Sequence, residues 1–297
     1  MNILLYGANG QVGWELQRSL APLGRLTALG HTDGNLEQPL RERILRERPQ
    51  VIVNAAAYTA VDKAEAEPER ALRINSEAVG EMAQAAAEIG ALFVHYSTDY
   101  VFDGEKTAPY QVDDPTGPLS VYGRSKLAGE QAIRSAGCRH LIFRTSWVYA
   151  VRGGNFAHTI LKRARAMDRL QVVADTFGVP TSAELLADVT ALAVHRLGGP
   201  AQGPDTAALL GTHHLVPCGE TTWHGYASFL IQAARERGLP IQVAADAIVA
   251  VPASTFPAPA RRPLNSRLDN RLLEQRLGLK LPDWRVHVRR FVEEIGG

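Results

Sequence analysis

Short apolar runs alternate with longer amphipathic stretches through the first half of the chain. Residues 3–6, 25–29, 51–54, 92–97 and 140–144 have the length and the branched or aromatic content of buried strands. Between them, residues 12–21, 40–48, 68–89 and 121–136 repeat apolar positions at helical spacing. Alternation of this kind builds a parallel sheet covered by helices on both faces. The pattern therefore predicts an α/β, doubly wound, Rossmann-like fold. Residues 172–174 and 183–197 extend it as one further strand and helix of the same layer.

The second half changes character. Residues 198–204 read as a loop, and 251–263 is crowded with prolines, which excludes regular helix and central strand there. The expected organisation is a dinucleotide-binding domain over 1–150, joined by the returning strand and helix near 170–198. A smaller, interleaved substrate-binding domain over 151–297 should close over the carboxyl ends of the strands, where open α/β sheets bind ligands.

Composition narrows the function classes. With 45% apolar and 21% charged residues and a net charge of +1, the 297-residue chain has no global field for nucleic acid or an anionic membrane. Its two cysteines, Cys138 and Cys218, stand far apart and outside any C-x-x-C spacing, which fits a reducing compartment. No apolar run approaches the roughly 20 residues that span a bilayer, and the first residues lack a basic leader. The expectation is a cytoplasmic protein with a small-molecule partner.

Gly7-Ala8-Asn9-Gly10-Gln11-Val12-Gly13 follows the first strand and opens the first helix. Glycines there allow a tight turn, close approach of backbone to a pyrophosphate, and tight helix–strand packing. Free N–H groups at the helix start then receive the phosphates. The spacing is G-x-x-G-x-x-G, the short-chain reductase form. An acid after the second strand would bind the ribose of NAD and repel the 2′-phosphate of NADP. Gly30-His31-Thr32 stands there instead, which argues against strict NAD dependence. Small residues in Asn54-Ala55-Ala56-Ala57-Tyr58-Thr59 suit backbone contact with a nucleotide, and equally suit tight helix packing.

Tyr122 and Lys126 are four apart in Val121–Ala136, on one helix face. Reduction of a carbonyl needs a hydride at carbon and a proton at oxygen. A tyrosine near pKa 10 exchanges protons poorly at neutral pH unless a cation such as Lys126 stabilises its phenolate. Taken alone, Y-x-x-x-K is commonly a solvated helix face. The polar end of the fourth strand, His95-Tyr96-Ser97-Thr98-Asp99, adds Thr98 as a partner for the same oxygen, although a turn-forming role would also account for it.

Gly10-Gln11-Val12-Gly13-Trp14-Glu15-Leu16, Tyr96-Ser97-Thr98-Asp99-Tyr100-Val101-Phe102, Val121-Tyr122-Gly123, Arg144-Thr145-Ser146-Trp147-Val148-Tyr149 and Arg262-Pro263-Leu264-Asn265-Ser266-Arg267-Leu268-Asp269 carry a resemblance over nearly the whole chain. It is similar to the dTDP-4-dehydrorhamnose reductases, within the extended short-chain dehydrogenase/reductase superfamily. The resemblance implies reduction of the 4-keto group of dTDP-4-dehydro-β-L-rhamnose by NADPH or NADH. It assigns Tyr122 as proton donor, Lys126 to the cofactor, and Thr98, Asp99 and Trp147 to the sugar. It assigns Gln11 and Val12 to the pyrophosphate and Ala57, Tyr58 and Thr59 to the cofactor's far half. Asn35-Leu36 stands where relatives carry an Asp–Phe pair beside the adenosine. The resemblance also implies a homodimer with magnesium held by Glu15, Glu184 and Glu294, though glutamates on amphipathic helices are ordinarily just solvated.

A sugar-nucleotide dehydratase would carry a second carboxylate after Asp99, where Tyr100 stands; an epimerase remains open. A regulatory subunit of methionine adenosyltransferase shares the fold and binds NADP without turnover, but Thr98, Tyr122 and Lys126 are all retained here. His158, His213, His214 and His224 read as surface or supporting groups, and Glu65-Ala66-Glu67 as a solvated helix face.

Overall fold

Strands β1 (Asn2–Tyr6), β2 (Arg25–Leu29), β3 (Val51–Asn54), β4 (Leu92–Thr98) and β5 (His140–Thr145) form where the short apolar runs fall. In this computed structural model they pair in parallel, and residues 1–198 and 204–296 are described. The loop expected across 198–204 thus falls almost wholly outside the described residues. Every position of β3 and β4 is buried, as in a sheet covered on both faces.

The sheet has six strands, in the order Gly211–His214, β5, β4, β3, β1, β2. The chain reverses direction of winding beside β1, and ligands bind at such switch points. Register aligns the working edge: Tyr6 lies opposite both Leu29 and Asn54, and Asn54 lies opposite His95. The residues just beyond these positions therefore gather at one rim.

Two expectations need correction. The strand near 172–174 does not join this layer. Leu170–Val173 pairs in parallel with Ile248–Val251, and the sixth position belongs to Gly211–His214. That strand is Gly-Thr-His-His, without the apolar run that marks a buried strand, so its place is set by what packs on it. Consequently His213 and His214 are buried, not surface groups. The second correction concerns residues 68–89, which do not form one α-helix. A π turn at Arg73–Glu77 separates Pro68–Leu72 from Ala78–Ile89 and turns Asn75 inward.

The Ala183–Gly198 helix does return to the first layer, packing on α1 (Gln11–Leu20). Ser19 Oγ donates to the Ala187 carbonyl at 3.0 Å, and Arg18 pairs with Asp188 at 2.8 Å. A second hydrophobic core gathers Tyr149, Leu161, Val172, Tyr226, Leu230, Trp284 and Phe291 from the later part of the chain. The proline-crowded stretch after Val251 is irregular apart from one short turn at Ala253–Thr255, as expected.

Candidate active site

A cleft of about 940 Å³ runs along the carboxyl edge of the sheet. Gly7, Gly10, Gln11, Val12, Asn35, Leu36, Ala57, Tyr58, Thr59, Thr98, Asp99, Tyr122, Lys126 and Trp147 all line it. Gly13 lies behind the lining, where it lets α1 approach the turn: a Cβ there would fall 2.0 Å from the Gly7 carbonyl oxygen. Gly7 itself has φ of +84°, and a Cβ on it would meet Ala56 N at 2.6 Å. The start of α1 has no side-chain cap, so its first N–H groups are left for an anion in the cleft. Gln11 Oε1 accepts from Asn155 Nδ2 at 2.9 Å, tying this loop to the later half.

At the end beyond β2, Gly30, His31, Asn35 and Leu36 meet Glu37 and Arg70. A carboxylate is therefore present in this wall, five residues beyond Thr32. Arg70 Nε and Nη2 each hold Glu37 at 3.0 Å, and this pairing keeps the Glu37 carboxyl below its usual range. Gly30 is also sterically committed, since a Cβ there would lie 2.6 Å from Asn9 Nδ2.

Asn75, delivered by the π turn, fixes the middle of the cleft. Its Oδ1 accepts the Tyr58 N–H at 2.9 Å, and its Nδ2 donates to the Tyr58 carbonyl and Ser125 Oγ, each at 3.0 Å. One amide thus joins the 57–59 segment to the Val121–Ala136 helix. That helix is capped by Ser120 Oγ, which accepts the Gly123 N–H at 3.1 Å, and by Glu65 Oε1, which accepts the Val121 N–H at 2.8 Å. Glu65 is thus a cap and not merely a solvated charge.

Tyr122 pairs its hydroxyl with that of Thr98, and burial pushes its phenol up to about 12. Thr98 Oγ1 donates to Asp99 Oδ1 at 2.9 Å and accepts the Tyr100 N–H at 3.2 Å. Burial raises the Asp99 carboxyl to about 6, against the hydroxyls of Ser266 and Thr98, which act the other way. Lys126 is held on β4. Its Nζ donates to the Tyr96 carbonyl at 2.6 Å and lies 3.1 Å from His95 Nε2, and burial pulls it down to about 8. The reason is local: the inward side of the helix faces β4, which offers a carbonyl and an imidazole to the amine.

Trp147 has φ of +48° and stacks on Trp223 at 3.7 Å, so one face of its indole is already covered. The three glutamates do not form a ligand set in this chain. Arg290 Nε stands between Glu184 at 3.0 Å and Glu294 at 3.2 Å, while Glu15 pairs with Arg18 at 3.4 Å. Among the described residues no group of three or more His, Cys, Asp or Glu is arranged to hold a metal. Two guanidinium groups engage these three carboxylates within the single chain, and burial together with the charges of Glu294 and Glu15 raises the Glu184 carboxyl.

Comparison with known proteins settles the family. The model of the family described as "RmlD substrate binding domain" matches residues 1–296. The chain belongs to that family. It is 51% identical to a dTDP-4-dehydrorhamnose reductase of Escherichia coli K12, over 99% of this chain and 98% of the relative. A Burkholderia thailandensis dTDP-4-dehydrorhamnose reductase is 47% identical over 99% of both chains. Among solved structures, a Bacillus anthracis dTDP-4-dehydrorhamnose reductase in complex with NADP superposes with a TM-score of 0.88, at 30% identity and 98% coverage of each chain. Family membership agrees with the expected Rossmann-like α/β class and with the motifs that carried the resemblance. Asn75, Glu65, Glu37 and Arg70 were not singled out as site residues by sequence. Only the polar break that His95 makes in an apolar strand was a visible signal of the buried network below.

Proposed function

We propose that this protein reduces the 4-keto group of dTDP-4-dehydro-β-L-rhamnose to give dTDP-L-rhamnose, using NADPH (or NADH). The observation that carries the reading is the convergence of Tyr122, Thr98 and Asp99 on one wall of a dinucleotide-shaped cleft, in a chain 51% identical to a named reductase. When bound, the nicotinamide supplies a hydride to the carbonyl carbon. Gln11 and Val12, at the uncapped start of α1, present backbone N–H groups to the pyrophosphate, while Gly7 and Gly10 close the turn beneath it and Gly13 lets the helix approach. Asn35 and Leu36 flank the adenosine, and Ala57, Tyr58 and Thr59 lie along the rest of the cofactor. Tyr122 gives its hydroxyl proton to the carbonyl oxygen as the alcohol forms. Thr98 shares a hydrogen bond with that oxygen, Asp99 accepts from a sugar hydroxyl, and the part of Trp147 that lines the cleft meets the pyranose. Lys126 donates to ribose hydroxyls.

The later part of the chain then acts as a substrate-binding domain over residues 151–297, with 1–150 holding the cofactor. We assign the protein to the cytoplasm and to a homodimer. Exposed Trp14, Leu192 and Val286, on three helices joined by the Arg18–Asp188 and Arg290–Glu184 pairs, support an apolar face for a second copy. Sedimentation of the purified protein as a monomer would contradict the dimer. For the activity, NADPH absorbance should fall only when the dTDP-keto sugar is present; consumption without it, or none with it, would reject the reading.

A further inference from the structure

His95 lies in β4, 1% exposed, behind the Tyr122–Lys126 pair and outside the cleft lining. Its ring nitrogens face different neighbours: Nδ1 is 3.2 Å from Asn54 Nδ2, and Nε2 is 3.1 Å from Lys126 Nζ. The orientation of the Asn54 amide is set by its other atom, because Oδ1 accepts the Ala56 N–H at 3.1 Å. The amide therefore donates to His95 Nδ1. A neutral imidazole has one acceptor nitrogen and one N–H, so the proton sits on Nε2 and points at the lysine. An ammonium has three donors and no acceptor. Two donors would then face each other across 3.1 Å. The conflict disappears for an uncharged amine, whose lone pair accepts Nε2–H while one of its own N–H groups serves the Tyr96 carbonyl.

We propose that His95 is a positioning residue for Lys126: presented by Asn54 as the Nε2–H tautomer, it donates to the uncharged lysine amine and so weakens the hold of Lys126 on its proton in the ligand-free protein. The functional consequence rests on the reductase reading above; the geometry does not. Lys126 also has Tyr122 and Glu130 on its own helix, Ser97 and Asp99 at the end of β4, and Arg144 on β5 nearby. Glu130 is the carboxylate that favours an ammonium, but Arg144 Nε and Nη2 hold it at 2.8 and 2.7 Å, and Arg134 adds a third contact at 2.7 Å. Burial acts in the same sense as the tautomer, lowering both Lys126 and His95. A reductase needs its proton donor to start as a phenol, and an adjacent ammonium would favour the phenolate. The more readily Lys126 sheds its charge, the less it favours the phenolate, so His95 biases the pair toward giving its proton away.

The test uses the full chain, whose five lysines (Lys63, Lys106, Lys126, Lys162 and Lys280) make side-chain NMR tractable. Nitrogen NMR of the wild-type protein should find Nδ1 of His95 unprotonated and Nε2 carrying hydrogen; the opposite tautomer overturns the proposal. Titration of the lysine side chains should show Lys126 losing its proton well below the other four. His95→Leu removes the facing N–H, and should raise the Lys126 midpoint by about one pH unit. If Nε2 accepted from an ammonium, the same change would lower it; a fall, or no movement, refutes the proposal. In turnover, the alkaline limb of kcat/KM should shift to lower pH in His95→Leu, which loss of packing alone would not produce. Should that variant fail to fold, the wild-type tautomer and lysine titration decide the matter. If both behave as described while the keto sugar is not reduced, the reductase reading fails and the His95 assignment stands.

Discussion

Tyr122 and Asp99 both bond to the hydroxyl of Thr98, yet burial acts on them to different ends. It holds Tyr122 protonated across the physiological range, as a proton donor requires. Tyr122→Phe should lower turnover by roughly 10²–10⁴-fold, the usual weight of general acid catalysis, and leave NADPH binding nearly unchanged. Single-turnover rates and a binding isotherm check this, and near-normal turnover would mean another group gives the proton. For Asp99, burial raises the carboxyl from 3.8 to about 6, inside the working range. If its carboxylate accepts from the sugar, KM for the sugar should rise as pH falls through about 6 and the acceptor is lost. Asp99→Asn should have a raised KM that no longer responds to pH between 5 and 7, roughly one unit either side of that midpoint. A flat wild-type profile would remove Asp99 from sugar binding.

At the scale of elements, the Val121–Ala136 helix is fastened to the sheet by a buried charge pair beneath the site. Glu130 is 0% and Arg144 3% exposed, joined by two hydrogen bonds. Glu130→Gln leaves the Arg144 guanidinium without its counter-charge, and should cost about 3–5 kcal/mol in denaturant unfolding. A loss below about 1 kcal/mol would show that water or another acceptor takes over. These elements also show what sequence makes legible. β1 to β5, α1 and the catalytic helix follow from local apolar patterning, because each buries a face whose period is written in its own residues. The glycine loop, Thr98 and Tyr122 follow from motif and order. The Gly211–His214 strand does not, since nothing in Gly-Thr-His-His distinguishes a strand until β5 is beside it. Likewise the π turn and Asn75 depend on the fit of Pro68–Ile89 against the catalytic helix, not on helix propensity. Lys126 stands in a recognisable motif, but its direction depends on Tyr96 and His95, which are remote in sequence.

At the scale of the whole molecule, the proposed function makes the cleft join a phosphate-binding loop, an adenosine end and a reacting centre along one edge of the sheet. The adenosine end presents Arg70 with its charge matched by Glu37, and His31 exposed beside them. With no unpaired acid there, NADPH should be preferred over NADH by about 10-fold in kcat/KM, and less so at high salt. His31→Asp should weaken that preference without the clash that Gly30→Asp would make with Asn9. A wild-type preference for NADH would contradict this account of the adenosine end. The central claim is hydride delivery to one carbon of one sugar, and isotope transfer tests it most directly. With NADPH deuterated at the nicotinamide C4 position and dTDP-4-dehydro-β-L-rhamnose as substrate, the product should be dTDP-L-rhamnose carrying one deuterium at C4. Product without deuterium, deuterium at another carbon, or no product with the cofactor intact would contradict it.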